Sequence, residues 1–532
     1  MAKIGIDFGT TNTVLVSYDK TLNKFSFTEE QSKDYGLRGK IIVSSTVWYN
    51  DNKTIVGNDA RANINKYNEI AGNHFEKSIK LKLGKDKNIN IFGDEVEPYL
   101  VAAEIFKKIN NDTFFNPEFI RDTKYNIDKS NAVVTIPINF SGKSRRELRK
   151  AANEAGIEIK TFIHEPFAAI IGHYFTKGHD TLEKTLNEIT LLNGRYLLVF
   201  DWGGGTLDVT VLKVQNNKMV ELGTAELTGV AGDKFDDLIA NYAWNKFVDK
   251  NSMNYTDSQL MKLKNDKWDS LLALSENAKI ELSTKDRTEI LARIDKVSRI
   301  EEELTVEIFE ELLMDSILQA SMCVESALKQ AGVDRVQISE VLLTGGTSYI
   351  PSVQKKLRDL FGHRIIPVNN PELLIAQGAA VISELNWMPF LTKDVQIELA
   401  DDTYWSMFEK GFPVSNTKNA FKSEIFTCND SRNGIAKLII CEGKQESKYV
   451  SNEENEENKL LTLGIINVPI LGMNNFGDDI HVEATIDKDI ILNVSAFSKM
   501  VQKVNGVLQD YSIKKTIEIN KLCFGLDFGD FK

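Results

Sequence analysis

Two stretches of the sequence combine an aspartate at the end of an apolar run with a turn of small residues. Residues 4–13 read IGIDFGTTNT, and residues 198–212 read LVFDWGGGTLDVTVL. Glycines in such turns let backbone N–H groups approach phosphate oxygens closely. Asp7 and Asp201 would repel a phosphate unless a hard cation lay between them, and Mg²⁺ held through its own waters suits that position. The alternative is an ordinary tight turn in which each aspartate bonds its own backbone.

A third glycine turn follows a strand-like run later in the chain. Residues 341–347 read VLLTGGT, and the helical pattern SYIPSVQKKLRDLF that follows has Pro351 near its start. A turn of this kind before a helix is suited to hold a nucleoside. By contrast, SGKS at 141–144 only resembles the end of a P-loop, because Pro137 stands where that motif needs a glycine. These residues are predicted to cap a helix instead.

Length, charge and cysteine usage limit the class of protein. The chain has 532 residues and a net charge of −12, so we expect two to four domains at about 100 to 200 residues each. Acidic and basic residues are mixed, which offers no basic stripe to nucleic acid. The four cysteines lie far apart and indicate free thiols in a reducing compartment. Without a signal-like segment or a long apolar run, we expect a cytoplasmic protein that does not bind membranes.

Hydrophobic periodicity divides the chain into two parts. Up to about residue 388, strands alternate with helices, and the two hairpin stretches repeat one plan, which predicts a duplicated α/β domain. The clearest elements are a strand at 131–136 and helices at 141–156, from Pro166, at 233–249 and at 305–331. After about residue 390, short runs of β-formers separated by Asn, Gly and Asp predict an all-β domain.

These motifs, in this order, resemble the heat-shock 70-kilodalton chaperone family of the DnaK type. The resemblance is carried by both hairpins, AVVTIPINFSGKSRRELRKAANEAG, HEPFAAI, AKIELS, VLLTGGTSYIPSVQKKL and NPELLIAQGAAV. It implies an α/β fold with a duplicated actin-like (ribonuclease-H-like) ATPase domain, then an all-β sandwich, without the family's C-terminal helical lid. The implied boundaries are 1–388 for the ATPase domain, 389–399 for the linker, 400–522 for the substrate-binding sandwich and 523–532 for a tail. The closing CFGLDFGDFK repeats the opening motif superficially, and we interpret that echo as coincidence.

The resemblance implies that both hairpin turns grip the β- and γ-phosphates of ATP. The implied residues are Gly9, Thr10, Thr11, Asn12, Gly203, Gly204, Gly205 and Thr206. Asp7 and Asp201 would hold Mg²⁺ through water, and Asp208 would help to hold a K⁺ ion. ATP or ADP with Mg²⁺ is therefore the expected cofactor.

The resemblance also implies the residues that act on the γ-phosphate. They are Lys80, Glu165, Asp201 and Thr206. Lys80 would stabilise the γ-phosphate and orient the attacking water, although Lys77 and Lys82 lie close by. Glu165 would lie near the metal and the water, and the same position also suits a charge that stabilises a helix start. Such a reaction needs charge neutralisation and in-line positioning more than covalent chemistry.

The adenosine is expected between one helical face and the third glycine turn. The implied residues are Glu276, Lys279, Ser283, Gly345, Gly346 and Thr347. Tyr349 stands where the family commonly has an arginine, and we expect it to stack on adenine. Further departures from the family pattern are Trp202, His164, Phe167 and Ala231. By itself, the helical face would equally fit a plain amphipathic surface.

Communication between the two parts is implied by a few matched positions. Pro137 and Arg145 match residues that the family uses to report nucleotide state to its second domain. The stretch DVQIEL at 394–399 takes the place of the family's aliphatic linker, and its polar residues would weaken apolar docking. Ala436 occupies the position of a larger aliphatic residue in the central peptide pocket.

We therefore expect an ATP-dependent chaperone that hydrolyses ATP slowly and couples nucleotide state to the binding of unfolded polypeptide segments. Such a switch requires different contacts with the substrate in its two states. The resemblance implies a J-domain co-chaperone and a nucleotide exchange factor as partners. The alternative is an ATP-binding, weakly or non-hydrolysing subunit of another chaperone assembly. A sugar kinase or an actin-like filament protein would lack the second, all-β part.

Overall fold

The structure is a computed structural model in which the placement of most of the chain is described. The described residues are 3–31, 41–50, 53–67, 70–110, 114–115, 128–178, 181–251, 253–366, 368, 370–401, 403–414, 421–428, 434–443, 460–470, 479–498, 500–504 and 507–529. The four cysteines lie within these ranges and form no disulfide, as predicted. None of the described helices is both long enough and apolar enough to cross a membrane.

The first hairpin forms the centre of a sheet, and we call the part of the chain around it lobe I. Its strands are Ile4–Phe8, Asn12–Asp19, Lys24–Thr28, Val43–Ser44, Phe114–Phe115, Ala132–Ile136 and Ile159–His164. The two hairpin strands are antiparallel, and Ile4–Phe8 pairs in parallel with Ala132–Ile136 on its other side. That pairing sets Thr135 beside Asp7 at the end of the strand.

A second sheet repeats this arrangement around the second hairpin, and we call this part lobe II. Its strands are Tyr196–Trp202, Thr206–Gln215, Lys218–Thr228, Ile338–Thr344, Ile365–Ile366, Met388–Leu391 and Phe524–Asp527. As in lobe I, three consecutive antiparallel strands are followed on the other side by two parallel strands. The matching strand orders confirm the duplicated α/β fold.

The helices predicted at 141–156, from Pro166, at 233–249 and at 305–331 are present within two residues of these bounds, among the described α-helices. The described α-helices are Asn58–Tyr67, Pro98–Ile109, Gly142–Glu154, Glu165–Thr176, Leu182–Thr190, Gly232–Asn251, Asp257–Glu281, Val306–Ala331, Pro351–Phe361 and Pro371–Leu385. The smaller strands of the two lobes are Val47–Asn50, Lys53–Val56, Asn73–Glu76, Ile89–Ile91, Asp94–Val96, Arg287–Arg293 and Arg299–Thr305. The Ser141 hydroxyl oxygen accepts a hydrogen bond from the Ser144 N–H at 3.1 Å, so SGKS caps a helix as predicted.

Two helices join the lobes through contact of their backbones. A Cβ atom at Gly378 would lie 1.8 Å from the carbonyl oxygen of Ala168, and one at Gly172 would lie 2.1 Å from that of Leu374. No side chain fits at either position, so the helices Glu165–Thr176 and Pro371–Leu385 pack with their backbones in direct contact. Both begin at the interlobe cleft, where Glu165 and Pro371 are lining residues.

The all-β part is a sandwich of two four-stranded sheets. Its strands are Tyr404–Phe408, Val395–Glu398, Ile435–Glu442 and Leu461–Pro469 in one sheet, and Phe421–Thr427, Asp479–Ile486, Leu492–Ser498 and Lys515–Ile519 in the other. The hairpin Met500–Val504 and Val507–Tyr511 extends from it. Ala436 lies on the inward face of its strand and is buried.

The predicted linker boundary is wrong. Val395–Glu398, within the predicted linker, is a strand of the sandwich that pairs with Ile435–Glu442 and Tyr404–Phe408. Gln396 does not weaken this element, because its buried side-chain amide donates a hydrogen bond to the carbonyl of Gly443 at 2.5 Å. The connection to lobe II is instead made by Met388–Leu391, an edge strand of the lobe II sheet, and edge strands tolerate a proline such as Pro389.

The predicted tail is also wrong for its first residues. Phe524–Asp527 is a strand between Lys218–Thr228 and Met388–Leu391 in the lobe II sheet. After the last sandwich strand, the described residues therefore return to lobe II as a strand and form no lid helix. The closing residues, which we interpreted as a coincidental repeat of the opening motif, have the β-strand pattern of alternate apolar residues.

Gly378→Ala tests the close contact of the two joining helices. We expect the substitution to lower the free energy of unfolding of the lobes by about 3 kcal/mol, because a backbone oxygen must move to admit the methyl group. Urea unfolding followed by circular dichroism measures this loss. Gly346→Ala is the control, since a Cβ atom there meets nothing within 4 Å. Equal stability of the two variants would contradict the proposed contact.

Candidate functional site

The two hairpin turns face each other across one cleft between the lobes. A Cβ atom at Gly204 would lie 2.8 Å from the Thr11 hydroxyl oxygen, so only glycine allows the turns to approach this closely. The second turn is closed by a hydrogen bond from the Gly203 N–H to the Thr206 carbonyl at 3.0 Å. The first turn is held by the Ser45 hydroxyl, which donates to the Gly9 carbonyl at 2.9 Å.

Nearly all residues predicted for the site line this cleft, which has a volume of about 350 Å³. They are Asp7, Gly9, Thr10, Thr11, Asn12, Lys80, Pro137, Glu165, Asp201, Gly203, Gly204, Gly205, Thr206, Asp208, Glu276, Lys279, Ser283, Gly345, Gly346 and Thr347. Arg145 and Tyr349 lie elsewhere. This volume is within the range of small-molecule sites.

A buried ion pair joins Lys80 to Glu165. The Lys80 ammonium lies 2.6 Å from the Glu165 carboxylate, and the two side chains are 4% and 13% exposed. Lys80 is on a short 3₁₀ helix, and Glu165 is the first residue of its α-helix. Burial alone would lower the pKa of Lys80, but the carboxylates of Glu165 and Asp7 raise it above its usual value. Of the three neighbouring lysines, Lys80 is the one in the cleft, and Lys82 pairs with Glu76 outside it.

The surroundings of three aspartates in the cleft raise their pKa values and so favour the protonated form. Burial, followed by the charge of Glu165, raises the pKa of Asp7 to about 6 and that of Asp208 to about 7. The same two causes raise the pKa of Asp201 well above its usual value. Hydroxyls stabilise two of these carboxylates: Thr135 donates to Asp7 at 2.9 Å and Thr206 donates to Asp208 at 3.0 Å.

The aspartates fit a hydrated cation better than a directly ligated one. Within the described residues, no group of three or more His, Cys, Asp or Glu side chains could hold a metal ion directly. Mg²⁺ usually keeps several of its waters, so the carboxylates could hold it through those waters. A cation would also favour the ionised aspartates and so reverse the effect of their burial.

The other end of the cleft is built from helix Asp257–Glu281 and the third glycine turn. Lys279 donates a hydrogen bond to the Gly232 carbonyl at 2.9 Å and forms an ion pair with Asp236 at 2.7 Å. The Thr347 hydroxyl donates to the Gly203 carbonyl at 2.8 Å, which ties the third turn to the second hairpin. Gly345 has φ 74°, and a Cβ atom there would lie 2.4 Å from the Trp202 carbonyl oxygen.

Sequence reasoning missed Arg61, which forms an ion pair with Glu276 across 215 residues of chain. Burial would raise the pKa of Glu276, but the Arg61 guanidinium holds it below its usual value. No local motif pointed to Arg61. Apolar lining from Ile280, Ile350 and Ile375 was missed as well, and these side chains suit a nucleoside base.

The predicted stacking role of Tyr349 does not agree with its position. The Tyr349 side chain points away from the cleft, and its hydroxyl donates to the Leu343 carbonyl at 3.3 Å. It lines a separate depression with Gln354 and Arg358. Ile350, the next residue, faces the cleft instead, because the 3₁₀ turn Gly346–Tyr349 directs consecutive side chains to different sides.

The other departures from the family pattern leave the cleft lining unchanged. Trp202, His164, Phe167 and Ala231 are all buried, and none of them lines the cleft. The indole N–H of Trp202 donates to the Val230 carbonyl at 2.8 Å within lobe II. These residues therefore act on the site only through the elements that they support.

Arg145 contacts the sandwich. Its buried guanidinium donates hydrogen bonds to the carbonyls of Asp489 at 2.6 Å, Ile490 at 3.2 Å and Asn520 at 3.0 Å. It also donates to the Phe140 carbonyl within lobe I. Burial lowers the pKa of Arg145 to about 10, so the group stays charged at neutral pH. On the same helix, Arg149 pairs with the Asp489 carboxylate at 2.7 Å.

Comparison with known proteins agrees with this fold and cleft. The family model described as Hsp70 protein matches residues 3–522. A chaperone protein dnaK of Phaeodactylum tricornutum is 29% identical, over 97% of this chain and 82% of its own length. A chaperone protein DnaK of Picrophilus torridus is 27% identical, over 97% of this chain and 78% of its own length. A chaperone protein dnaK of Trieres chinensis is 29% identical, over 83% of this chain and 71% of its own length. The duplicated lobes, the glycine-lined cleft and the sandwich agree with that match. Because the family model covers almost the whole chain, this protein belongs to the Hsp70 chaperone family.

Proposed function

We propose that this Hsp70 protein binds Mg·ATP in the interlobe cleft, hydrolyses it, and uses the change to control peptide binding by the sandwich. The observation that carries the proposal is the buried Lys80–Glu165 ion pair, which shares a glycine-lined cleft with the carboxylates of Asp7, Asp201 and Asp208. A structural ion pair would not need open space beside it, whereas this pair faces a cleft of about 350 Å³.

The residues around the ion pair have separate roles in hydrolysis. The Lys80 ammonium would bind a γ-phosphate oxygen, and Glu165 would hold that ammonium in place and orient the attacking water. The N–H groups of both hairpin turns would bind the other phosphate oxygens. Bound Mg²⁺ supplies charge neutralisation for the phosphates. Asp7 and Asp201 would hold it through water, and Asp208, fixed by the Thr206 hydroxyl, would contribute to a K⁺ site.

The remaining lining residues would bind the nucleoside. Glu276 and Lys279 lie on helix Asp257–Glu281, and Ser283 lies in the turn that follows it. All three line the cleft together with the turn at Gly345 and Gly346. Lys279 is kept close to that turn through its hydrogen bond to Gly232. Arg61 lies in lobe I and forms an ion pair with Glu276 across the cleft. This ion pair would stabilise the closed position of the lobes around a nucleotide.

A continuous set of contacts leads from the cleft to the sandwich. Pro137 lines the cleft, and its carbonyl accepts a hydrogen bond from the Phe140 N–H at 3.1 Å. The Lys80 ammonium lies 5.9 Å from the centre of the Phe140 ring. The Phe140 carbonyl in turn accepts from Arg145, which bonds the sandwich. These contacts support the proposal that Pro137 and Arg145 transmit nucleotide state.

The sandwich exposes apolar side chains that suit extended, unfolded polypeptide. Large apolar residues that are about half exposed are Phe421, Ile425, Ile435, Leu461 and Ile465. They lie on both sheets of the sandwich and offer apolar contacts to such a segment. In a complete cycle, a J-domain co-chaperone would act on hydrolysis and an exchange factor on ADP release.

Lys80→Ala tests the hydrolytic role of the ion pair. We expect the single-turnover rate of ATP hydrolysis to fall by about 10² to 10³-fold, because a preorganised positive charge is lost from the transition state. ATP affinity, measured by calorimetry, should change much less. Lys82→Ala is the matched control, since Lys82 lies outside the cleft. If wild-type protein hydrolyses ATP no faster than Lys80→Ala, the non-hydrolysing partner subunit is the correct function instead.

Arg145→Ala tests the route from the cleft to the sandwich. In wild-type protein we expect ATP to lower the affinity for a fluorescent unfolded peptide by about 5 to 150-fold. In the variant that factor should approach one, because the sandwich carbonyls lose their donor. Lys143→Ala is the control, as Lys143 lies on the same helix but pairs with Asp86 at the surface. An unchanged ATP effect in Arg145→Ala would contradict the route.

A further inference from the structure

The strand Phe524–Asp527 is an interior strand of the lobe II sheet, although it follows the sandwich in the chain. On one side Asp527 and Leu526 pair with Lys218 and Met219. On the other side the strand pairs along its whole length with Met388–Leu391. A further backbone hydrogen bond joins the Phe528 N–H to the Asn217 carbonyl at 3.0 Å. The chain thus enters and leaves the sandwich through neighbouring strands of one sheet.

The apolar side chains of this segment are almost fully buried. Phe524, Leu526 and Phe528 alternate along the strand and are 2%, 0% and 2% exposed. Leu526 and Phe528 pack in the core between the lobes, while Phe524 belongs to the core shared by lobe I and the sandwich. A short strand that buries three large side chains in two cores is an integral part of the fold.

Gly525 allows the strand to enter the sheet. A Cβ atom at this position would lie 2.4 Å from the Met219 carbonyl oxygen and 2.9 Å from the Phe390 ring. Any larger residue would therefore push the strand away from both of its neighbours. At the end of the strand, Asp527 pairs with Lys218 at 3.3 Å, which favours this register.

We propose that Phe524–Asp527 is an intramolecular docking strand that holds the sandwich against lobe II and orders the connecting strand Met388–Leu391. Within the described part of the chain, Phe524–Asp527 is the one strand that forms a ladder with Met388–Leu391. The other side of Met388–Leu391 has an isolated bridge from Phe390 to Pro413 and backbone hydrogen bonds to residues 411–414. When the docking strand leaves, Met388–Leu391 loses its ladder to the lobe II sheet and keeps only its pairing with residues 411–414. The docking strand thereby sets the balance between a docked and an undocked sandwich.

The docking strand also contacts the element that carries Glu165. The Phe524 ring lies 4.0 Å, centre to centre, from the imidazole of His164, the residue immediately before Glu165. Burial, and then the charge of Arg145, lowers the pKa of His164 to about 3, so the imidazole beside Phe524 is neutral. Undocking would therefore remove a contact next to Glu165, the first residue of its helix and the partner of Lys80.

Hydrogen–deuterium exchange of the full chain without nucleotide tests this proposal independently of the proposed ATPase. In Gly525→Val and in Phe524→Ala we expect the amides of Met388, Phe390 and Met219, which alternate toward the docking strand, to exchange at least about tenfold faster than in wild type. The matched control is Phe92→Ala, which removes the same side chain from an exposed position outside the sandwich. Its exchange at these amides should equal that of wild type.

Exchange in Ile4–Phe8 reports whether the lobes remain folded. If Gly525→Val also accelerates exchange there, it has unfolded the lobes, and Phe524→Ala decides the question. Unchanged exchange of the Met388 and Phe390 amides in a folded Gly525→Val or Phe524→Ala variant would overturn the proposal. Because no ATP is present, that result would leave the hydrolytic function untouched.

Discussion

The structure depends on holding four carboxylates and the ammonium of Lys80 together in one cleft between two lobes. Asp7 and Asp201 end equivalent strands of the two hairpins, and Glu165 begins the helix that crosses between the lobes. Burial of like charges is unfavourable, as the raised pKa values of the aspartates show. The cores of both lobes must offset that cost, which explains why the elements that carry these residues are almost fully buried.

Local sequence signals predicted the two hairpin turns with their aspartates and the third glycine turn, because these features lie in turns and at element ends. The roles of Lys80, Glu165 and the adenosine residues were implied by the family resemblance. An aspartate that ends a strand, a glycine turn and a serine cap are each visible in a few residues, as the cap of Ser141 shows. Arg61 could not be predicted in the same way, since its partner Glu276 is 215 residues away. Tyr349 had the correct sequence position but the wrong side-chain direction, which depends on the local 3₁₀ turn.

The connections of the sandwich were the least predictable part of the fold. The pattern of Met388–Leu391 resembled a connector because it contains a proline, and Phe524–Asp527 resembled a tail because its partner strands lie far away in the chain. Residue types alone do not indicate which distant strand a short apolar run will join. The structure adds that the sandwich contacts lobe I through Arg145 and lobe II through Phe524–Asp527, so its position depends on both lobes.

The central claim is that the nucleotide cleft and the sandwich share one conformational equilibrium. Coupling of two binding sites is reciprocal, so the factor by which ATP weakens peptide binding must equal the factor by which peptide weakens ATP binding. The most direct test is a calorimetric titration of ATP into the full chain, with and without saturating unfolded peptide, under conditions of slow hydrolysis. The account predicts weaker ATP binding in the presence of peptide, by that same factor. Identical ATP affinities in the two titrations would contradict it.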